Sequence, residues 1–314
     1  MGNYANIMGI EIQVNTAAEK AEYDETTRRW TLHVHDKDGG TRAIRTKHLV
    51  MALGMVGTGP AMPDFPGADS FKGLAYHAGK HRSASDIPDL DKKNVAVIGC
   101  ATTAHDMAQD FVNHGAKSVT MIQRQPTWSF SAEAIETFHL GNFATPGVSL
   151  EEADLVMTSF PTAVARVFGN SMTHQMLDHD REMLNGLEKA GLAVKRGEDG
   201  TSFIDSLFFK GGHFYVDQGA TPMILDGRIK VHMCSEGVEE YFPGGLVLGD
   251  GCKVDADVVV SATGFEPAAA QVKQIMGDKI GEKASKYGSF DHELERVGVG
   301  PDLGSRRKQF ESLS

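Results

Sequence analysis

The sequence is poor in cysteine: Cys100, Cys234 and Cys252 are the whole set in 314 residues. An odd number of widely spaced cysteines supplies neither a disulfide framework nor a C-x-x-C redox pair. That excludes a disulfide-stapled scaffold, leaves a pyridine-nucleotide disulfide reductase remote, and fits a reducing compartment. Cationic charge is also short. Lys and Arg number 31 against 42 Asp and Glu, a formal charge of -11. Phosphate binding wants a basic stripe, so no nucleic-acid partner is expected, and no strong attraction to an anionic membrane. No apolar run nears the roughly 20 residues that cross a bilayer. The first residues lack a charged segment leading into an apolar core, and Asn6 stands where a myristoylation signal wants Ser or Thr. A cytoplasmic chain without a membrane span is the expectation.

What is present is an ordinary globular composition, with 41% hydrophobic and 23% charged residues and 35 glycines, which suits an α/β fold with many tight turns. The length suits two lobes. Two stretches echo each other. Residues 29–54 read as an alternating strand (Trp30-Thr31-Leu32-His33-Val34), an Asp38-Gly39-Gly40 turn, a second strand near 42–45, and a buried strand (Leu49-Val50-Met51-Ala52-Leu53) stopping at Gly54. Residues 240–264 repeat that plan, with Gly244-Gly245, Leu246-Val247-Leu248, Asp250-Gly251 and then Val258-Val259-Val260-Ser261-Ala262-Thr263-Gly264. Each reads as a β-meander feeding a buried strand that ends at a glycine.

Between them lies a βαβ unit. The apolar run Asn94-Val95-Ala96-Val97-Ile98-Gly99 is followed by Cys100-Ala101-Thr102-Thr103-Ala104 and a helix with Met107, Ala108, Phe111 and Val112 on one face. Gly115 stands where a helix C-terminal glycine would. A second strand (Ser118-Val119-Thr120-Met121-Ile122) then arrives at Gln123-Arg124. Dinucleotide sites place a pyrophosphate on free amides at the positive end of a helix, which demands a turn of small residues. The fingerprint G-x-G-x-x-G/A is met at Gly99 and Ala104, with Ala101 in place of the middle glycine. The turn therefore either binds a dinucleotide, or belongs to a βαβ unit that binds nothing. An arginine after the second strand takes the 2′-phosphate of NADP, where a carboxylate would take the ribose of NAD. Arg124 thus favours NADPH, the alternative being a solvated charge at a strand end.

The segment 97–124 resembles the NADPH motif of class B flavin-dependent monooxygenases, especially the fungal and bacterial flavin-containing monooxygenases related to the plant YUCCA group. Phe71-Lys72-Gly73-Leu74-Ala75-Tyr76-His77 is similar to that family's F-x-G-x-x-x-H linker signature. Ala262-Thr263-Gly264-Phe265 is similar to its A-T-G-[FY] signature, with Ala52-Leu53-Gly54 as a weaker partner. These motifs run in family order over roughly residues 5–275. The departures are Ala78 after the signature histidine, Leu53 in the first A-T-G, and Ala101 and Thr103 in the phosphate turn.

The resemblance implies an α/β, two-dinucleotide-binding-domain flavoprotein fold (Rossmann-like, glutathione-reductase-type) with an incomplete FAD domain. The implied layout is a partial FAD-binding domain over 1–66, a linker over 67–93, an NADPH-binding domain over 94–264 with a helical insert at about 149–192, and a flavin-domain remnant with a poorly ordered tail over 265–314. Within that layout Gly99, Cys100, Ala101, Thr102, Thr103, Ala104 and Arg124 would hold NADPH. Ala52, Leu53, Gly54, Ala262, Thr263 and Gly264 would mark the junctions of the FAD and NADPH domains, and His77, of the linker signature, would be the catalytic candidate, helping to couple them. The implied chemistry is NADPH reducing FAD, with O2 giving a C4a-hydroperoxyflavin that oxygenates nitrogen or sulfur, or oxidises a carbonyl, in a small organic substrate. No G-x-G-x-x-G precedes Gly54, so the FAD pyrophosphate turn is expected to be absent and the chain truncated at its start. The alternative is an NADP-binding pseudoenzyme without turnover, or a gene-model fragment.

The remaining features have blander readings. No metal site is expected, since Gly79 between His77 and His81 spoils a ligand-bearing helix and no H-E-x-x-H is present. His33 and His35 alternate with Leu32 and Val34 and are expected to face solvent. A helix N-terminus beside Cys100 would lower its thiol pKa, yet a packing role is expected. Residues 149–192 are expected to be helical, opening on a Ser149/Glu152 capping box, breaking at Pro161 and ending at Gly191. Met157, Met172, Met176 and Met183 are expected to pack there.

Overall fold

A computed structural model of the chain describes residues 2–53, 59–198, 200–207, 212–266, 268–282, 289–290 and 296–297. Gly54 and nearly all of the expected tail, 283–314, lie outside the described residues. Two compact units emerge: one takes residues from 1–59, 266–287 and 297–314, the other from 60–265 and 288–296. No described helix is long and apolar enough to cross a membrane.

In the first unit, a short helix α1 (Gly2–Ile7) precedes three antiparallel strands, β1 (Thr16–Asp24), β2 (Arg29–Asp36) and β3 (Thr41–Thr46), in that order. Alternation sets the faces, with Val34 buried between an exposed His35 and a half-buried His33 that meets Glu22 at 3.2 Å. The helix Ala268–Met276 packs on β1, burying Val272 and Ile275. Residues 49–53, expected as a buried strand, form none, and Val50 is 82% exposed. An apolar run becomes a strand only where a neighbour pairs its amides. Among the described residues this sheet pairs only β1, β2 and β3.

The second unit is built on a five-stranded parallel sheet. Its strands are β4 (Leu74–His77), β5 (Asn94–Ile98), β6 (Ser118–Gln123), β9 (Ile229–Met233) and β13 (Val258–Ser261), in the order β4-β13-β5-β6-β9. Residues 67–93, expected as a linker, belong to this unit, because β4 pairs with β13, Ser261 lying opposite His77. The strand period of two sorts the core. Val95, Val97, Val258 and Val260 face one cluster with Phe111, Trp128, Phe130, Met176, Leu184 and Leu187. Ala96, Ile98 and Val259 face the other, with Tyr241, Leu246 and Leu248. The first face is covered by helices, including α2 (Thr102–Asn113), and by the short parallel pair β7 (Trp128–Phe130) and β8 (Phe214–Val216). The second carries the meander β10 (Val238–Phe242), β11 (Gly245–Leu248) and β12 (Lys253–Asp255). Burying one large side chain such as the fully enclosed Phe111 stabilises by roughly 2–3 kcal/mol, so both layers hold the sheet ends in place.

The helical stretch begins with the Ser149/Glu152 capping box, both hydrogen bonds being present. Pro161 separates Leu150–Thr158 from Thr162–His179. A further break at Asp180, absent from the sequence pattern, starts Arg181–Lys189. Asp180 is buried and its carboxylate accepts from the Ser131 amide and hydroxyl, both at 2.7 Å. Met176 is fully buried there, with Met172 and Met183 packed partly against the same core.

Candidate dinucleotide site

In open α/β sheets ligands bind beyond the carboxyl ends of the strands, where successive connections diverge to opposite sides. Here that point lies at β5, because the chain passes from β5 through α2 to β6 on one side, while β13 lies on the other. Gly99 leaves β5 and Ala262 leaves β13 at this point. Gly99 has φ 134°, and a Cβ there would stand 2.6 Å from the Ala262 carbonyl oxygen. Only glycine suits both conditions. The Ala262 amide donates to Ile98 at 2.8 Å and the Gly99 amide to Ile122 at 3.0 Å, which fixes the approach.

Ala101 caps α2 in an extended conformation without a side-chain hydrogen bond, and its carbonyl accepts from the Ala104 and His105 amides. The amides of Thr102 and Thr103 at the helix start are therefore uncapped by any side chain and suited to an anion. Thr103 is exposed and Ala104 buried. The Thr102 hydroxyl donates to the Phe214 carbonyl at 2.9 Å, so its side chain ties the turn to β8 and only its amide remains for a ligand. Burial pushes the Cys100 thiol up to about 12, so the expected lowering by the helix end is overridden by desolvation and Cys100 packs against the core. Arg124 follows β6, exposed and without an ion-pair partner among the described residues. Behind it Gln123 is buried and exchanges hydrogen bonds with Ala193 at 2.7 and 2.8 Å, anchoring the strand end.

Support beneath the turn comes from residues the sequence reading passed over. His105 is fully buried and stacks on Tyr215 with centroids 3.8 Å apart and planes 5° apart. Its Nδ1 donates to the Ala101 carbonyl at 3.1 Å. The Tyr215 hydroxyl donates to Asp217 at 2.8 Å and accepts from the Gln218 and Ala220 amides. No sequence signal links His105 to Tyr215, since the pair forms only once β8 lies beside α2. Burial lowers the His105 pKa to about 4, against weaker opposing effects of the Ala101 carbonyl and Asp217. The folded protein then refuses a proton that the unfolded chain takes up below about 6.5. Stability is flat above that pH, falls between about 6.5 and 4, and levels below, a loss on the order of 3 kcal/mol. Denaturant unfolding across pH 4 to 7 should show this slope, and His105→Phe should flatten it; an unchanged slope in the variant would remove His105 as its origin.

His77 ends β4 and is buried. Its Nδ1 accepts from the Gly79 amide at 3.1 Å, which places the ring proton on Nε2, and the ring meets Phe265 edge-on at 5.2 Å. That Nε2, and the Oγ of Ser261 opposite it, are buried with no partner among the described residues. Unsatisfied buried polar groups are costly and mark places where a ligand or water is owed. His81 serves otherwise: it bridges the Tyr76 hydroxyl at 2.8 Å and Asp110 of α2 at 2.9 Å, and Asp110 also accepts from the Ala84 amide. Burial and the Asp110 charge push the Tyr76 phenol up to about 12. Ala262 is half-buried, with Thr263 and Gly264 exposed. The Thr263 hydroxyl donates to the Ala61 carbonyl at 2.7 Å, and the Ala61 amide to that of Gly264 at 3.1 Å. Ala52 and Leu53 belong to the other unit, in coil.

Comparison with known proteins agrees with this geometry. A family model for pyridine nucleotide-disulphide oxidoreductases matches residues 4–154. The chain is 27% identical over 270 residues to the probable indole-3-pyruvate monooxygenase YUCCA3 of Arabidopsis thaliana, covering 84% of this chain and 54% of that protein. It is 32% identical over 126 residues to the FAD-containing monooxygenase EthA of Mycolicibacterium smegmatis, covering 40% and 25%. A cyclohexanone monooxygenase structure from Rhodococcus sp. Phi1, bound to NADP+, superposes with a TM-score of 0.58 at 17% identity, covering 87% of this chain and 57% of that one. The chain spans about half the length of the curated relatives it matches. Sheet order and structural likeness together define an α/β, Rossmann-like flavoprotein fold. Over most of its length the chain is similar to monooxygenases, and over a shorter stretch to an FAD-containing one.

Proposed function

We propose that this chain binds NADPH at the Gly99 turn and acts as the NADPH-binding part of an NADPH- and FAD-dependent monooxygenase, which uses O2 to oxygenate nitrogen or sulfur, or to oxidise a carbonyl, in a small organic substrate. The observation that carries the reading is the pairing of Gly99, pressed against Ala262, with a helix start that no side chain caps. The amides of residues 100–103 would hold the pyrophosphate, and the Arg124 fork would hold the 2′-phosphate. His77, with its buried Nε2–H, would be a positioning residue beyond β4, and Ala262, Thr263 and Gly264 would form the floor beside the turn. FAD, when bound, supplies the oxygen chemistry, and the chain's part is to seat and orient the nicotinamide donor. Unit 1 would be a part of the FAD-binding domain.

The FAD pyrophosphate needs its own strand-turn-helix, and the described residues of unit 1 contain an antiparallel meander and no parallel strand. That observation favours a second reading, an NADP-binding module without turnover. Titration calorimetry with NADPH, combined with flavin uptake measured by absorbance, separates the two. NADPH binding with bound FAD and NADPH-dependent oxygen consumption supports the monooxygenase; NADPH binding by a colourless protein supports the module; absence of NADPH binding overturns both.

A further inference from the structure

We propose that His232, Asp250 and Cys252 form a binding site for a thiophilic divalent cation of the Zn2+ class on the surface of the second unit. His232 lies on β9, an edge strand of the parallel sheet, whereas Asp250 and Cys252 lie in the turn joining β11 to β12. The His232 ring nitrogen, an Asp250 carboxylate oxygen and the Cys252 sulfur all fall within 4.8 Å of one another. Around a tetrahedral zinc, with bonds of about 2.0–2.3 Å, ligand atoms stand roughly 3.3–3.8 Å apart, so small side-chain rotations suffice.

The turn preorganises two of the three ligands. The Leu248 amide donates to the Cys252 carbonyl and the Gly251 amide to Leu248, both at 2.8 Å, with Gly251 at φ 82°. One oxygen of Asp250 accepts from the Cys252 amide at 2.9 Å, while the other meets His232 Nε2 at 2.8 Å. The carboxylate is therefore oriented from behind and presents its second oxygen beside the imidazole, an arrangement that metal sites use to fix ligand direction. His232 and Asp250 are about one-third exposed and Cys252 is exposed, so a cation has open access and a water can complete the shell. Imidazole, carboxylate and thiolate together select zinc-like ions over Mg2+ or Ca2+, which prefer oxygen alone. On binding, the Cys252 thiol gives up its proton to solvent, and the His232–Asp250 hydrogen bond is exchanged for two metal bonds. The ion would clip the meander to the sheet edge.

The full chain, stripped with a chelator, is titrated with Co2+ alone and then with Zn2+ alone. One equivalent of Co2+ should produce a thiolate-to-cobalt charge-transfer band that Zn2+ erases, and Zn2+ should raise the thermal midpoint. Cys252→Ser should abolish the band. His232→Gln should keep the band while weakening Zn2+ binding at least about tenfold, or 1.4 kcal/mol. Both positions are accessible, so neither change threatens folding. Absence of the charge-transfer band, or equal Zn2+ affinity in the parent and Cys252→Ser, would overturn the proposal and leave a hydrogen-bonded surface pair beside a free thiol.

Discussion

Gly99→Val is expected to lose NADPH binding by at least two orders of magnitude and to lower the unfolding free energy by about 3 kcal/mol. Two separate costs converge on this residue. A β-branched side chain at φ 134° carries strain on the order of 1–3 kcal/mol. Its Cβ would also stand 2.6 Å from the Ala262 carbonyl oxygen, a backbone atom that cannot swing aside. Retreat of Ala262 would break its 2.8 Å hydrogen bond to Ile98, so overpacking adds a similar amount. The neighbouring turn moves in either case, and with it the amides at the start of α2. Urea unfolding and NADPH titration calorimetry read the two effects separately. A Gly99→Val protein that binds NADPH like the parent would show that the turn is not the pyrophosphate site.

Arg124→Ala should leave stability within error and weaken NADPH roughly 10- to 100-fold, since a charge-assisted contact to a phosphate is worth about 1.5–3 kcal/mol. Binding of NADH, which lacks the 2′-phosphate, should be unchanged. The expectation rests on Arg124 standing exposed at the end of β6 with no ion-pair partner among the described residues. Its aliphatic stem lies over Gly237, where a Cβ would come 3.3 Å from Cδ. Arg124→Lys should recover only part of the loss, because an ammonium cannot offer the guanidinium's paired donors. Parallel titrations of parent and variants with NADPH and with NADH measure the difference. An equal fall for both nucleotides would assign Arg124 to the general shape of the site instead of to the phosphate.

Much of this molecule is legible from local pattern. The β5-turn-α2-β6 unit follows from an apolar run, a turn of small residues and a 3.6-residue apolar repeat, and each lies within a few residues of its cause. The Ser149/Glu152 capping box and the break at Pro161 are equally local, one a pair of reciprocal hydrogen bonds and the other a missing amide. The same apolar pattern misleads at residues 49–53, which read like 258–261. Val258–Ser261 has β4 and β5 on either side to pair its backbone, while residues 49–53 pair with no strand among the described residues. Hydrophobicity proposes a strand, and a neighbour's hydrogen bonds decide it.

The sequence by itself determined the strand-turn-helix-strand plan of β5, α2 and β6, with the small residues of its turn from Gly99 to Ala104 and Arg124 one strand later. Periodicity and turn chemistry are properties of consecutive residues. Only the tertiary structure decided why Gly99 must be glycine, because the atom that excludes a side chain belongs to Ala262 on the adjacent strand. It alone placed Tyr215 under His105, set Leu74–His77 of the linker signature into the sheet as β4, and brought His232 beside Asp250 and Cys252. Each of these contacts joins segments distant in the chain, and a period of two or 3.6 residues carries no information about which distant segments become neighbours.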